Sequence, residues 1–388
     1  MQVCGPNDRG RYRRKVSAPR VYVASSLGQR TGGPEAVSLL VHSLRQRGID
    51  AYLIPMRNFR GKSNHPEYSN YESPMATRIL DPDRDHFVLT EVSPIESRRE
   101  LEQVADERVW MLWLSVNFSP IPEARYYSAT ERDCRFFPPG TQSALPDLWP
   151  YDDKAITSGP LRAFREARRR NRGRGPRQLA ATAVEAASIA YARRTVRRSI
   201  NFGTQSFYGQ GFVRSYLGRD AFLLTDYPKP RPAVGKVTKI PNLVAYNGAK
   251  GRWKIDELRS RLPGVEFRPI QDMSRQEVFE ALAESSLYVE IGHLPGRDRL
   301  PREAALLGTP TVMLARGAGF CWEDFPLGVD YRIPYTVDWA DHMAPVITEV
   351  LDDPTRIQTT QEPFRSWVEG EPDRYQEAVD RWVERLTS

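Results

Sequence analysis

The chain has 388 residues, a length that suits two domains of ordinary size and excludes a small binding module. Hydrophobic residues make up 40%, charged residues 27%, and the mean hydropathy is -0.55, which excludes a largely disordered chain and an integral membrane protein. No apolar run reaches the ~18 residues of a membrane-spanning helix, and residues 1–15 lack the apolar stretch of a secretory signal peptide. We therefore expect a cytoplasmic protein.

The first part of the chain alternates short apolar runs with a helical stretch. Residues 20–24 predict a strand, residues 25–33 a loop of small residues and residues 34–47 an amphipathic helix. The apolar run at residues 51–54 then completes a βαβ unit. Three further runs predict buried strands: residues 87–89, 109–114 and 222–224.

The second part repeats this pattern after a Pro-rich linker at residues 229–241. Residues 242–246 predict a strand, residues 247–251 a turn and residues 253–262 a helix. Strands are also predicted at residues 265–268, 287–291 and 311–314, and helices at residues 274–284, 301–307 and 375–386.

The predicted fold class is α/β, with two Rossmann-like lobes that face each other across a cleft. The expected units are an N-terminal acceptor-side lobe at residues 1–228, the linker, a nucleotide-sugar-binding lobe at residues 242–362 and a C-terminal helix at residues 363–388 that packs on a lobe. Ligands of such sheets bind at the carboxyl ends of the strands, so we expect the site in the cleft.

The positive charge is concentrated in residues 161–198. Twelve arginines against two glutamates give this segment +10, which leaves the remainder of the +7 chain at −3. Both halves are helical by composition, and the Gly-Arg-Gly-Pro sequence at residues 173–176 separates them. We expect an arginine-rich helical insertion in the first lobe that contacts an anionic membrane surface, binds nucleic acid or is a solvated helix pair.

The cysteines and histidines show no pattern typical of a metal or disulfide site. Cys4, Cys134 and Cys321 are widely spaced and odd in number, and no CxxC pair occurs. The five histidines show no ligand spacing. We expect neither a disulfide framework, nor a metal site, nor a cofactor.

Two small-residue loops precede predicted helices. Gly32 and Gly33 allow backbone amides at a helix start to approach an anion. Lys250 adds a cation to a similar loop in the second lobe, and Arg252 is an equally good source of charge. These features suit a diphosphate, and the alternative is a pair of ordinary turns with a solvated lysine.

The most informative stretch is residues 291–312. A strand ends at its start, a loop with His293 and Gly296 follows, and Pro301 opens a helix that carries Glu303 in its first turn. A carboxylate there suits the paired hydroxyls of a ribose. The alternative, a carboxylate that interacts with the helix dipole and contributes ~0.5 kcal/mol, explains Glu303 but not the loop.

The pieces GGPE at residues 32–35, KG at residues 250–251 and REAALLGTPTV at residues 302–312 occur in order. Together they resemble the GT-B-type glycosyltransferases, especially the retaining families that use nucleotide-activated sugars. The sequence GHLPGRDRLPRE at residues 292–303, with Ser206 and LTDYP upstream, resembles a bacterial and phage subgroup of surface-polysaccharide glycosyltransferases. The resemblance covers the lobe cores and not the arginine-rich segment.

This resemblance implies that a sugar passes from a nucleoside diphosphate to an acceptor hydroxyl with retention of configuration and without a metal ion. It implies that Glu303 holds the nucleotide ribose, that Lys250 binds the diphosphate and that Gly32 and Gly33 lie beside the donor phosphates. The amides near Gly296 and an arginine of the following loop would stabilise the charge of the leaving diphosphate.

Two positions depart from the family pattern. Pro295 stands where the first glutamate of the family's paired-glutamate motif falls, so His293 or Asp298 is expected to contact the sugar and is the candidate catalytic group. The arginine that commonly precedes the phosphate lysine is absent near residues 246–247. Three arginines are candidates to replace it: Arg252, Arg297 and Arg299.

The expected partners are a nucleotide-sugar donor and a saccharide, lipid-linked or other hydroxyl acceptor, in the glycosylation of a polysaccharide or another macromolecule. Two alternatives stay open. One is a nucleotide-sugar epimerase of the same two-lobed build. The other is a non-catalytic protein on this scaffold that binds nucleic acid or a membrane through residues 161–198. Contact of this segment with a membrane would place the cytoplasmic protein peripherally at the inner membrane face, next to a lipid-linked acceptor.

Overall fold

The computed structural model describes residues 18–92, 94–125, 127–130, 132–140, 176–228, 237–252 and 254–387. The first sheet consists of β1 (Val21–Ser25), β2 (Ala51–Pro55), β3 (His86–Thr90), β4 (Val109–Trp113), β5 (Asn201–Thr204) and β6 (Phe222–Leu223). The second sheet consists of β7 (Ile240–Asn247), β8 (Glu266–Ile270), β9 (Ser285–Glu290), β10 (Thr311–Leu314) and β11 (Arg332–Ile333). Their orders are β2-β1-β3-β4-β5-β6 and β11-β10-β9-β7-β8, and neighbouring strands are parallel.

Helices connect these strands. In chain order they are α1 (Gly32–Arg45), α2 (Arg98–Leu101), α3 (Pro122–Arg125), α4 (Pro176–Val196), α5 (Phe207–Leu217), α6 (Gly248–Gly251), α7 (Ile255–Arg259), α8 (Arg275–Glu284), α9 (Arg299–Leu306), α10 (Trp339–Asp352), α11 (Pro354–Thr360), α12 (Glu362–Glu369) and α13 (Glu371–Thr387). Within the described ranges, no helix is both long and apolar enough to cross a bilayer.

The first sheet is buried on both faces. In β1, Val21 and Val23 belong to one apolar cluster, whereas Tyr22 and Ala24 belong to another. Successive side chains of a strand point to opposite faces, so the two clusters cover the two sides of the sheet. Parallel strands with both faces covered define an α/β lobe, and the prediction of two Rossmann-like lobes is confirmed.

The last helix, α13, packs on the first lobe. Its apolar residues share a cluster with α1 and β1. Trp382 lies edge-on to Trp110 of β4 with ring centroids 5.4 Å apart, and Arg47 donates to the main-chain oxygen of Gln376 at 3.0 Å. The chain therefore returns from the second lobe to the first.

The arginine-rich segment is described only from residue 176 onward, where it forms α4. Two of its arginines bind acids of the first lobe: Arg193 pairs with Glu123, and Arg198 donates to Asp106 at 2.8 Å. The hydrogen bond from Arg198 lowers the pKa of Asp106 below its ordinary value. The lobe itself therefore neutralises part of this charge. The predicted helix at residues 161–172 and most of the predicted linker lie outside the described residues.

Cys134 and Cys321 form a disulfide, so the expectation that the cysteines show no disulfide pattern is wrong for this pair. The two residues are 187 apart in sequence, but the fold brings their Cα atoms to 5.4 Å. Next to the bond, the Trp322 amide donates to the Arg135 carbonyl oxygen at 2.7 Å. The segment at residues 132–140 is thereby fastened to the loop that follows β10.

The lobes touch through main-chain atoms just beyond the end of β4. The Val116 amide donates to the Pro295 carbonyl oxygen at 2.8 Å. A Cβ atom built on Gly296 would lie 2.4 Å from the carbonyl oxygen of Leu114, which is closer than real Cβ atoms come. Glycine at this position therefore permits the close approach that sets the distance between the lobes.

We expect Gly296→Ala to force the lobes apart and to lower the free energy of unfolding by about 1–3 kcal/mol in urea denaturation. Gly264→Ala is the matched control, because a Cβ atom there meets no atom within 4 Å. Equal stability of the two variants would show that Gly296 is not in close contact with the carbonyl oxygen of Leu114.

Candidate functional site

A cavity of about 620 Å³ lies between the lobes, at the carboxyl ends of the first-lobe strands. The first lobe contributes to its wall, among others, Ala24, Ser25, Gly32, Gly33, Glu91, Leu114 and Ser115. The second lobe contributes Asn247, Lys250, Gly296, Arg297, Asp298, Arg299 and Leu300. Its size and position are those of a small-molecule site.

Seven of the ten predicted site residues line this cavity: Gly32, Gly33, Lys250, Gly296, Arg297, Asp298 and Arg299. His293 lines a neighbouring cavity of about 210 Å³ that shares Lys250 and Phe118 with the first. Arg252 lies elsewhere, in a cavity of about 520 Å³ with Gln271. Glu303 lines none of these three cavities.

The glycine loop places the start of α1 on the cavity wall. The cap residue Thr31 makes no side-chain hydrogen bond to the helix. The amides of Gly32 and Gly33 belong to the first turn, where a helix offers no internal partner. A Cβ atom on Gly32 would meet no atom within 4 Å, so the glycine is not required by packing. The arrangement suits an anion at the helix N-terminus.

Lys250 is positioned by its own short helix, α6. The side chain of Asn247 caps α6 by accepting hydrogen bonds from the Ala249 amide at 3.1 Å and the Lys250 amide at 3.2 Å. The ammonium group of Lys250 pairs with the carboxylate of Asp298, the residue directly before α9. A Cβ atom on Gly292 would lie 2.6 Å from the Lys250 Cβ atom, so glycine makes room for the lysine stem.

The two predicted arginines of this wall also have carboxylate partners. Arg297 pairs with Glu371, and its guanidinium lies 4.7 Å from the ring centroid of Trp367. Arg299 pairs with Glu35 of α1, across the cleft. Both cations therefore already have a carboxylate partner when an anion enters the cavity.

A buried charge network that sequence reasoning missed lies behind this wall. Arg302 is fully buried and donates to Asp226 at 2.9 Å and to Glu371 at 2.8 Å. Burial alone would raise the pKa of Asp226, but the charges of Arg302, Arg299 and Arg297 outweigh it and lower that pKa. The network fixes the start of α9 against α13.

Glu303 lies on α9 but not in its first turn, because the helix begins at Arg299 rather than at residue 301. Its carboxylate is 4% exposed and accepts a hydrogen bond from Arg275 Nη2 at 3.4 Å. The ribose role of Glu303 stays a prediction.

His293 has one defined tautomer. Asn117 Nδ2 donates to the main-chain oxygens of Ala124, Arg125 and Tyr127 at 3.0, 3.2 and 3.1 Å, which turns Asn117 Oδ1 toward His293 Nε2 at 2.6 Å. Nε2 therefore carries the proton. The other nitrogen, Nδ1, is left as an acceptor without a hydrogen-bond partner in the part of the chain that the structure describes.

The imidazole of His293 is held neutral. Burial, with the nearby charges of Arg316, Lys250 and Lys254, lowers its pKa to about 3. A group with so low a pKa is a poor general base at neutral pH. His293 is therefore suited to accept a hydrogen bond at Nδ1 rather than to take a proton.

Glu91 is a cavity residue that sequence reasoning missed. It follows β3 directly, and it is 1% exposed. The Leu114 amide donates to its Oε2 at 3.0 Å. Burial raises the pKa of Glu91 to about 8, against the opposing hydrogen bonds from backbone amides. The available signal was an acid placed immediately after a buried parallel strand.

Comparison with solved structures identifies the fold. Sucrose-phosphate synthase from Thermosynechococcus elongatus is 11% identical, with 95% of this chain and 99% of that chain covered and a TM-score of 0.54. A spinosyn forosaminyltransferase is 12% identical over 96% of this chain and 100% of that chain, with a TM-score of 0.45. No protein-family model and no curated protein matches the sequence. The chain has the two-lobed GT-B fold of glycosyltransferases.

We expect His293 to make stability depend on pH. Between its usual pKa of 6.5 and its folded value of about 3, the unfolded chain binds a proton that the folded chain does not. Stability is therefore lost as the pH falls through this window, by up to about 1.4 kcal/mol per pH unit. His293→Gln removes this contribution. A difference between wild type and variant that stays constant from pH 6.5 to pH 4 in urea denaturation would contradict the buried, neutral imidazole.

Proposed function

We propose that this protein is a glycosyltransferase that moves a sugar from a nucleoside diphosphate to an acceptor hydroxyl. The observation that carries the proposal is the convergence on one interlobe cavity of the α1 amides, the ammonium of Lys250 and the guanidinium of Arg299. These groups come from separate parts of the chain, and each is suited to phosphate oxygens.

The diphosphate gains negative charge as its bond to the anomeric carbon breaks. Preorganised cations and amides that meet this charge lower the barrier, because they need no reorganisation during the reaction. In the proposed complex, the diphosphate takes the place of Asp298 beside Lys250 and lies next to Arg299, which keeps Glu35 as its partner. His293 Nδ1, in the adjoining cavity, accepts a hydrogen bond from the donor sugar.

Retention of configuration and independence from a metal ion are part of this proposal, and the family resemblance supports them. In such a reaction the departing phosphate oxygen takes the acceptor proton, so no strong base on the protein is needed. A polysaccharide or another glycoconjugate as the final acceptor rests on the same resemblance. The contact of residues 161–198 with a membrane or nucleic acid stays a prediction.

We expect one of UDP, GDP and ADP to raise the thermal stability of the wild type. At 100 times its dissociation constant, a ligand adds about 2.7 kcal/mol. Lys250→Ala should lose most of this gain because the cation is removed, and Glu303→Ala should lose it if the carboxylate holds the ribose. Arg381→Ala is the control, since Arg381 is 59% exposed on α13.

Thermal unfolding with each nucleotide measures the effect. Undiminished stabilisation of both Lys250→Ala and Glu303→Ala would remove the site assignment. No stabilisation of the wild type by any nucleoside diphosphate would remove the proposed function.

A further inference from the structure

Among the acids that line the interlobe cavity in the described part of the chain, Glu91 stands apart. Asp226 binds Arg302, and Asp298 binds Lys250. Glu91 has no ion pair there, and its Oε1 atom has no hydrogen-bond partner. A buried acid on a cavity wall with an unpartnered oxygen is a candidate to hydrogen-bond a group of a bound ligand.

The buried carboxyl is a neutral acid near pH 7. Ionisation without a nearby cation would leave an uncompensated buried charge, which is why burial raises its pKa to about 8. The charged cavity residues, Asp226, Lys250, Arg297, Asp298 and Arg299, all have partners of opposite sign. A neutral carboxyl offers one O–H donor together with acceptor lone pairs, a combination that suits a hydroxyl group.

The cavity wall around Glu91 is uncharged. Among the lining residues between 24 and 205, Glu91 is the one residue with an acidic or basic side chain, and the others are small, polar or apolar. Two apolar side chains of this wall are exposed: Val92 by 43% and Phe118 by 60%. Exposed apolar side chains on a cavity wall favour a ligand with an apolar face. The opposite wall, by contrast, carries Lys250 and Arg299.

We infer that the first-lobe wall binds a neutral alcohol with an apolar face as the acceptor, and that Glu91 hydrogen-bonds its hydroxyl. The inference rests on the proposed function and adds the chemical class of the acceptor. Glu91 keeps its own proton. The acceptor oxygen bonds to the anomeric carbon while the bond from that carbon to the diphosphate breaks with its electron pair on the diphosphate, whose oxygen takes the hydroxyl proton.

The test uses two matched sets of probes that differ in one carboxylate: p-nitrophenyl hexosides and the corresponding p-nitrophenyl hexuronides. Titration calorimetry measures their dissociation constants for the full chain, with and without a saturating nucleoside diphosphate. We expect at least one hexoside to bind and its hexuronide to bind at least about tenfold more weakly, since the hexuronide's charge would lose water against a wall that offers it no cation. Equal binding of the pair, or no binding by any hexoside, overturns the acceptor class.

The role of Glu91 is tested with two variants. Glu91→Ala should weaken hexoside binding by about tenfold, whereas Glu91→Gln, which keeps a donor and an acceptor, should stay within about twofold of the wild type. Glu102→Gln is the control, because Glu102 is 49% exposed on the same lobe. Wild-type affinity in Glu91→Ala, or an equal loss in Glu91→Gln, overturns the inference.

Nucleotide stabilisation separates this inference from the proposed function. We expect Glu91→Ala to keep the thermal shift given by the nucleoside diphosphate, which also shows that the variant is folded. A wild type that binds hexosides through Glu91 but no nucleotide would remove the proposed function and leave the alcohol site in place. A wild type that binds nucleotide but no hexoside would keep the proposed function and remove the alcohol site.

Discussion

The site depends on one close contact between the lobes, where the main chain after β4 meets the loop before α9. The Val116 amide donates to the Pro295 carbonyl oxygen at 2.8 Å, and Gly296 lies against the Leu114 carbonyl with no room for a side chain. Because this contact is made by backbone atoms, it leaves little freedom in the distance between the lobes. That distance allows Arg299 to reach Glu35 on the opposite lobe.

Much of the fold could be predicted because buried parallel strands are short, nearly continuous apolar runs. The sequence Val-Tyr-Val-Ala-Ser of β1 and the sequence Val-Trp-Met-Leu-Trp of β4 show this pattern clearly. The strands β5 and β11 were missed, since Asn201–Thr204 contains one apolar residue and Arg332–Ile333 is only two residues long. The disulfide was missed because a separation of 187 residues carries no information about spatial proximity.

The candidate site was predictable where it depends on loops that follow strands. Such loops meet at one edge of a sheet, which is why Gly33, Lys250 and Gly296 line one cavity. The partners of the charged residues could not be predicted. Arg297 binds Glu371, a residue near the end of the chain, and Glu303 lies beside Arg275 rather than on the cavity wall. Those contacts depend on how helices pack, which periodicity alone does not determine.

The ion pairs of the cavity fall into two classes by burial. Arg297 and Glu371 are 3% and 1% exposed, and separating them would leave an uncompensated buried charge. Lys250 and Asp298 are 26% and 24% exposed, so water can solvate either group when the pair opens. The deep pairs therefore hold α9 in place, whereas the shallow pair can exchange a carboxylate for a phosphate.

The difference in burial gives neighbouring charged residues different roles, one structural and one in ligand binding. Had Lys250 been paired as deeply as Arg297, the carboxylate displaced by a diphosphate would have nowhere to be hydrated, and binding would have to overcome that loss. Had Arg302 been as exposed as Lys250, the start of α9 and its loop would lack a rigid support. A preorganised phosphate site needs both a fixed frame and a cation that can change partners. Asp298 contacts both of these: its carboxylate binds Lys250, and its main-chain oxygen accepts a hydrogen bond from Arg302 at 3.2 Å.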